Sequence, residues 1–336
     1  MSDLVTPDDA HLAARAAHHL GGRHDRFLAV AVSGGHGRTA HVGLEAGADV
    51  EIGSVSKGVT GMAFADSRSR GETTDSTCLG DLLPLGGSPA ARVTLGELAT
   101  HRSGLPRLAR GTASVRSTVD LWRHGTNPYG ESLDELLVAT RATRVGRKRA
   151  RYSNLGFMLL GHAVAAAAGT TYAGLLRERL ADPLQLVSTT APAGPADLGP
   201  GAVIGRSRGG RAMAPWTGEA LGPAGGIRST ADDLARLVAG LLDGSAPGTA
   251  ALDPVARLSG GVRIGAAWLV LERRGAVVTW HNGGTGGFRS IVALDRAAGV
   301  GVALVSATAR SVDRAGFDLL EEYVAAGPGP GVVADG

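Results

Sequence analysis

The sequence predicts an α/β fold: one antiparallel sheet built from both ends of the chain, flanked by helices, with a mostly helical region inserted in the middle and a cleft between the two parts. Three observations carry this. Apolar runs of strand length lie at 27–32 and 40–44 and return only after about Gly260. Between them the apolar residues follow helical spacing. The long irregular stretch 192–226, punctuated by Gly and Pro, is of the kind that lines a site. The implied division is 1–67 plus 258–336 for the sheet part and 68–257 for the insertion, together one discontinuous unit.

Thr6-Pro7-Asp8-Asp9 reads as a helix start, with a capping hydroxyl, proline in the first turn and acids facing the dipole. Gly21-Gly22 ends that helix. The runs 27–32 and 40–44 form a hairpin around 34–37. Glu51-Ile52-Gly53 leads into a helix over 54–66 with Val55, Val59, Met62 and Ala63 on one face. Helices follow at 95–100, 133–140, 155–168, 172–180 and 230–242. Strands are expected at 262–271, 276–281, 288–294 and 299–306, and an amphipathic helix at 313–325 uses Phe317, Leu320 and Val324.

Composition narrows the function. The chain has 336 residues and a formal charge of +3, too small to imply a nucleic-acid partner. All basic residues except Lys57 and Lys148 are arginine, so arginine clusters carry little functional weight here and a lysine carries more. Cys78, the single cysteine, allows no internal disulfide and has no recognisable catalytic partner. The N-terminus, with Asp3, Asp8 and Asp9, lacks a basic segment followed by an apolar run, and no stretch reaches membrane-spanning length. The expectation is a cytoplasmic protein without a membrane partner.

Ser54-Val55-Ser56-Lys57 opens a helix, and residues three apart share a face, so Ser54 and Lys57 point into the same space. The unpaired N–H groups and the dipole at that end favour negative charge on Ser54. A lysine desolvated there has a lowered pKa and helps take the serine proton. At Tyr152-Ser153-Asn154, a phenol is a general base or acid if nearby cations hold its pKa down, and the asparagine amide orients a substrate amide. The plainer account is a capped helix start. His281-Asn282-Gly283-Gly284-Thr285-Gly286-Gly287 follows a strand. Its glycines admit a substrate close to the backbone, and His281 offers a proton donor or cation at the rim. A glycine-rich hairpin loop is the plainer account there.

Ser54-x-x-Lys57, Tyr152-x-Asn154 and His281-x-Gly283, in this order, resemble the β-lactamase and penicillin-binding superfamily, in its class C-type branch with D-alanyl-D-alanine peptidases and family VIII esterases. The segments Leu98-Ala99-Thr100-His101-Arg102-Ser103-Gly104-Leu105-Pro106 and Gly225-Gly226-Ile227-Arg228-Ser229-Thr230 agree with it, and the resemblance runs from about Phe27 to Tyr323. It implies a β-lactamase-like fold and a serine hydrolase working without metal or cofactor. Ser54 would be acylated by a small-molecule ester or amide, Lys57 and Tyr152 would share the proton transfers, and Asn154 would steer the acyl chain. His281 and Gly283 would contact substrate, and the N–H groups of Ser54 and Gly284 would form the oxyanion hole. Many β-lactamases carry lysine where His281 stands, whereas peptidases and esterases of this branch often carry histidine. The competing expectations are a β-lactamase or D-alanyl-D-alanine carboxypeptidase, acyl transfer through the same intermediate, and a non-catalytic ligand sensor.

Other signals have bland readings. Gly205-Arg206-Ser207-Arg208-Gly209 matches a nucleophile elbow literally but lacks the helical pattern that should follow it. His18, His19 and His24 do not share one face. Arg141, Arg144, Arg147, Lys148, Arg149 and Arg151 precede Tyr152. They either draw an anion into the cleft and lower the tyrosine pKa, or form a solvated loop. His101 is expected to stabilise its own turn.

Overall fold

In a computed structural model of the chain, residues 5–109 and 125–327 are described. Asp3 and parts of both expected units lie outside them. The nine strands of the main sheet run in the order β1-β3-β2-β11-β10-β9-β8-β7-β6. They are β1 Val5–Thr6, β2 Phe27–Ser33, β3 His36–Val42, β6 Ala256–Arg257, β7 Arg263–Ile264, β8 Leu269–Arg273, β9 Ala276–Gly284, β10 Arg289–Asp295 and β11 Val300–Ser306. Strands β4 Val50–Glu51 and β5 Arg228–Ser229 form a separate two-stranded ladder. Every neighbouring pair in the main sheet is antiparallel except β1 with β3, which makes the sheet mixed at that edge.

Both faces of the central strands are buried, which is why β2 reads as an unbroken apolar run. Successive side chains point to opposite sides. Phe27, Ala29 and Ala31 pack with Leu12, Ala16 and Leu20 of α1 (Ala10–Leu20) and Leu319 and Leu320 of the last helix, Asp313–Ala326. Leu28, Val30 and Val32 pack into the larger core shared with the inserted helices. At the centre of that core are α2 (Val55–Ser69), buried from Val55 through Ser67, and the helix Asn154–Ala167, buried from Asn154 through Ala165. Gly61 lets α2 approach closely: a Cβ there would lie 2.1 Å from the Ala266 carbonyl oxygen.

Four expectations need correction. Thr6 does not cap α1. Asp9 does, accepting from the Leu12 N–H at 2.8 Å, while Val5 and Thr6 add a short parallel strand beside Gly37 and Arg38. Pro7 and the left-handed Asp8 (φ 50°) end that strand before the helix begins. The expected strand 262–271 is two strands, because Ala267 is also left-handed (φ 69°) and the Gly265 N–H bonds back to the Trp268 carbonyl. The expected helix 172–180 ends at Leu176 and continues as a wider π turn over Arg177–Ala181. Finally, His281 through Gly284 do not follow a strand: they lie within β9, paired with β10.

Candidate active site

Ser54 occupies the residue before α2. A serine there ordinarily turns its hydroxyl onto the helix N–H groups, but Ser54 makes no such bond. Its Oγ instead accepts from the Tyr152 hydroxyl at 2.6 Å and from Lys57 Nζ at 3.1 Å. Lys57 is fully buried, also donates to the Ala224 carbonyl, and sits 4.8 Å above the centroid of the Tyr152 ring. The irregular stretch thus reaches the site through the Gly222–Gly226 turn, which holds Lys57 through Ala224 and accepts from Thr60 Oγ1 through Pro223.

Burial holds the Lys57 ammonium well below its ordinary 10.5, and the charge of Arg107 adds to this. Tyr152 moves opposite to the expectation. Burial pushes its phenol up, and the bond to Ser54 and the Arg107 charge only partly offset this. The basic run does not act on it: Lys148 pairs with Glu97, Arg141 donates to the Pro84 carbonyl, and Arg144, Arg147, Arg149 and Arg151 are exposed.

His101 does more than hold its own turn. The Arg151 N–H donates to its carbonyl at 2.9 Å and the Ser153 N–H to its Nδ1 at 3.3 Å, so both flanks of Tyr152 hang on it. Its ring lies 4.7 Å from the Tyr152 ring, and its backbone is left-handed (φ 57°), a conformation that surrounding structure must impose on a non-glycine residue.

His281 is corrected in place and charge. It is 3% exposed, and burial, then the charge of Lys57, pushes its imidazole down to about 4. At neutral pH it is an uncharged group rather than a cation at the rim. Its Nδ1–H donates to the Asn282 carbonyl at 2.7 Å, because a carbonyl can only accept, and this leaves Nε2 as the free acceptor. The glycines after it run against the start of α2. A Cβ on Gly283 would lie 2.2 Å from the Ile52 carbonyl oxygen and 2.9 Å from Ser54 N, and one on Gly53 (φ 51°) would lie 2.5 Å from Gly284 N. Only glycine permits this approach, and it sets the Gly284 amide beside the Gly53–Ser54 peptide. Asn154 Nδ2 lies 3.5 Å from the Tyr129 hydroxyl, while its buried Oδ1 has no partner among the described residues.

The sequence reading missed a buried charge network behind the nucleophile. Arg228, fully buried, donates to Asp49 at 2.9 Å and Glu51 at 3.3 Å. Glu51 also accepts the Trp216 N–H at 2.9 Å, so one carboxylate ties the ladder before Ser54 to the stretch of chain at Trp216. Burial raises the pKa of both acids. The remaining signals are structural: Gly205 packs on Phe288, Ser207 Oγ accepts from the Arg211 N–H, His19 pairs with Glu322, His24 bonds Ser306, and Cys78 contacts the Ser76 carbonyl.

The pattern of the Beta-lactamase family matches residues 15–325. Among curated proteins, the chain is 34% identical over 149 residues to the D-alanyl-D-alanine-carboxypeptidase/endopeptidase AmpH of Escherichia coli (strain K12), covering 42% of this chain and 36% of AmpH. It is 33% identical over 165 residues to the putative beta-lactamase-like 1 of Homo sapiens, covering 48% of this chain and 31% of that protein. The match thus spans about a third of each relative's length. Solved structures share the fold along nearly the whole chain. A class C beta lactamase from Rhodobacter sphaeroides superposes with a TM-score of 0.76 at 22% identity, covering 93% of this chain and 99% of that one. The D-alanine carboxypeptidase AmpC from Burkholderia cenocepacia gives 0.75 at 20%, with the same coverage. With the fold shared over 93% of the chain and the family pattern matched over residues 15–325, the chain belongs to the β-lactamase family of serine hydrolases.

Proposed function

We propose that the chain cleaves a small ester or amide through an acyl-Ser54 intermediate. The observation that carries this is the Ser54 hydroxyl held between Tyr152 and a buried Lys57. With its pKa depressed, Lys57 gives up its proton far more readily than an ordinary lysine and accepts one from Ser54 as Oγ attacks the carbonyl carbon. The tetrahedral oxyanion then meets the N–H groups of Ser54 and Gly284, an effect typically worth about 3 kcal/mol per donor. Tyr152, kept as a neutral phenol, relays a proton from Lys57 to the departing alcohol or amine rather than serving as a phenolate base. Water repeats the sequence on the acyl-enzyme and frees Ser54. Asn154, whose Oδ1 has no partner among the described residues, accepts an N–H from the acyl chain.

The test is hydrolysis of p-nitrophenyl butyrate by wild type and by Ser54→Ala. Turnover that falls to background in a folded variant supports the proposal, and equal turnover refutes it. A second reading, β-lactamase or D-alanyl-D-alanine carboxypeptidase, is favoured by the likeness to AmpH. A stable penicillin adduct on Ser54 would select the peptidase, and fast nitrocefin turnover the β-lactamase. The neutral His281, where many β-lactamases have lysine, supports the ester or peptide reading over β-lactam hydrolysis.

A further inference from the structure

Arg107 places its guanidinium 5.7 Å from the centroid of the Tyr152 ring. Its main chain belongs to the site, since its carbonyl accepts the N–H groups of Asn154 and Leu155 at 3.0 and 3.1 Å. The side chain is exposed and, among the described residues, no carboxylate pairs with it. Its charge acts on the whole wall, pulling down Lys57, Tyr129 and Tyr152. That wall is also short of hydrogen-bond partners: Asn154 Oδ1 and Trp216 Nε1 are both buried without one among the described residues. Tyr129 joins them, with its hydroxyl at Asn154 Nδ2 and its ring 4.7 Å from the Trp216 ring.

An exposed cation within reach of the buried Lys57 is repelled by it when Lys57 is charged, and among the described residues no acid pairs with it to offset this. A negative group carried by the ligand would supply the compensating charge. We propose that Arg107 is a specificity residue that holds an anionic group on the acyl side of the substrate, so that the preferred substrates are esters or amides whose acyl chain ends in a carboxylate. This deepens the acyl-Ser54 reading and rests on it, with Asn154 and Tyr129 forming the acyl side of the cleft.

The experiment compares kcat/KM for two p-nitrophenyl esters of similar length, the hemiglutarate with its free carboxylate and the neutral butyrate. Wild type, Ser54→Ala, Arg107→Gln and Arg107→Lys are assayed at low and high salt. Wild type is expected to favour the hemiglutarate about tenfold, the scale of one good charge contact. That ratio should shrink in salt, fall to near one in Arg107→Gln and partly return in Arg107→Lys. A wild-type ratio near one, or a ratio that Arg107→Gln leaves unchanged, overturns the role of Arg107 while Ser54-dependent turnover keeps the chemistry standing. Equal turnover of both esters by Ser54→Ala overturns the chemistry itself and the specificity reading with it.

Discussion

Acidification should destabilise this protein through His281. The folded state keeps its imidazole neutral down to about pH 4, because the ring is buried beside Lys57, whereas the unfolded chain takes the proton near 6.5. The sign follows directly. Between these values the unfolded state binds a proton that the folded state refuses, so stability falls as pH drops below 6.5, and the loss is complete near pH 4. At roughly 1.4 kcal/mol per pH unit, the gap amounts to about 3 kcal/mol in all and about 2 kcal/mol by pH 5. The assay is urea unfolding at pH 7.5 and 5.0, followed by far-UV circular dichroism, for wild type and His281→Gln. His24 and His162 are also held down by burial and contribute alike to both proteins, so the difference between the two losses reports His281 together with its influence on the neighbouring His101, which burial also holds down. Wild type should lose about 2 kcal/mol more than the variant. Equal losses would show that the folded state accepts the proton at His281, and the account of an uncharged histidine at the base of the cleft would be wrong.

Three other outcomes follow from the same geometry. The kcat/KM of wild type should rise with pH as Lys57 deprotonates, with a midpoint well below 10.5, and a midpoint at the ordinary lysine value would contradict the buried base. Gly283→Ala forces a methyl to within 2.2 Å of the Ile52 carbonyl oxygen and 2.9 Å of Ser54 N. This should lower kcat about 100-fold by displacing oxyanion donors, with the far-UV spectrum unchanged. Arg228→Met strands the Asp49 and Glu51 carboxylates and should cost about 3–5 kcal/mol in urea unfolding, whereas a surface substitution such as Arg314→Met should cost almost nothing, since its pair with Asp318 is exposed.

Local relations were legible in the sequence, and distant ones came through resemblance. Ser54 and Lys57 share a helix turn, so spacing alone brings them together. Tyr152 lies 98 residues from Ser54, and nothing in composition or periodicity measures that approach; the ordered motifs supplied it. Strand β2 was readable as an unbroken apolar run of strand length, and the helix at Asp313–Ala326 by the helical spacing of its apolar residues. The Val5–Thr6 strand was not, because two residues carry no period and their partner is set by an open sheet edge. Burial explains the remaining differences. The arginines before Tyr152 face water and leave its phenol to desolvation, while His281 sits deeper than a glycine-rich loop suggests. Arg228 stood out in the sequence only as part of a segment that fits the family resemblance, and its partners Asp49 and Glu51, far away along the chain, show only in the fold.

The central claim is that Ser54 carries the acyl group. Its most direct test is the mass of the intact protein after brief reaction with a p-nitrophenyl ester and an acid quench, followed by peptide mapping. A single acyl increment on the peptide containing Ser54, absent in Ser54→Ala, is the predicted result. An increment on any other residue, or one that persists in Ser54→Ala, would contradict it.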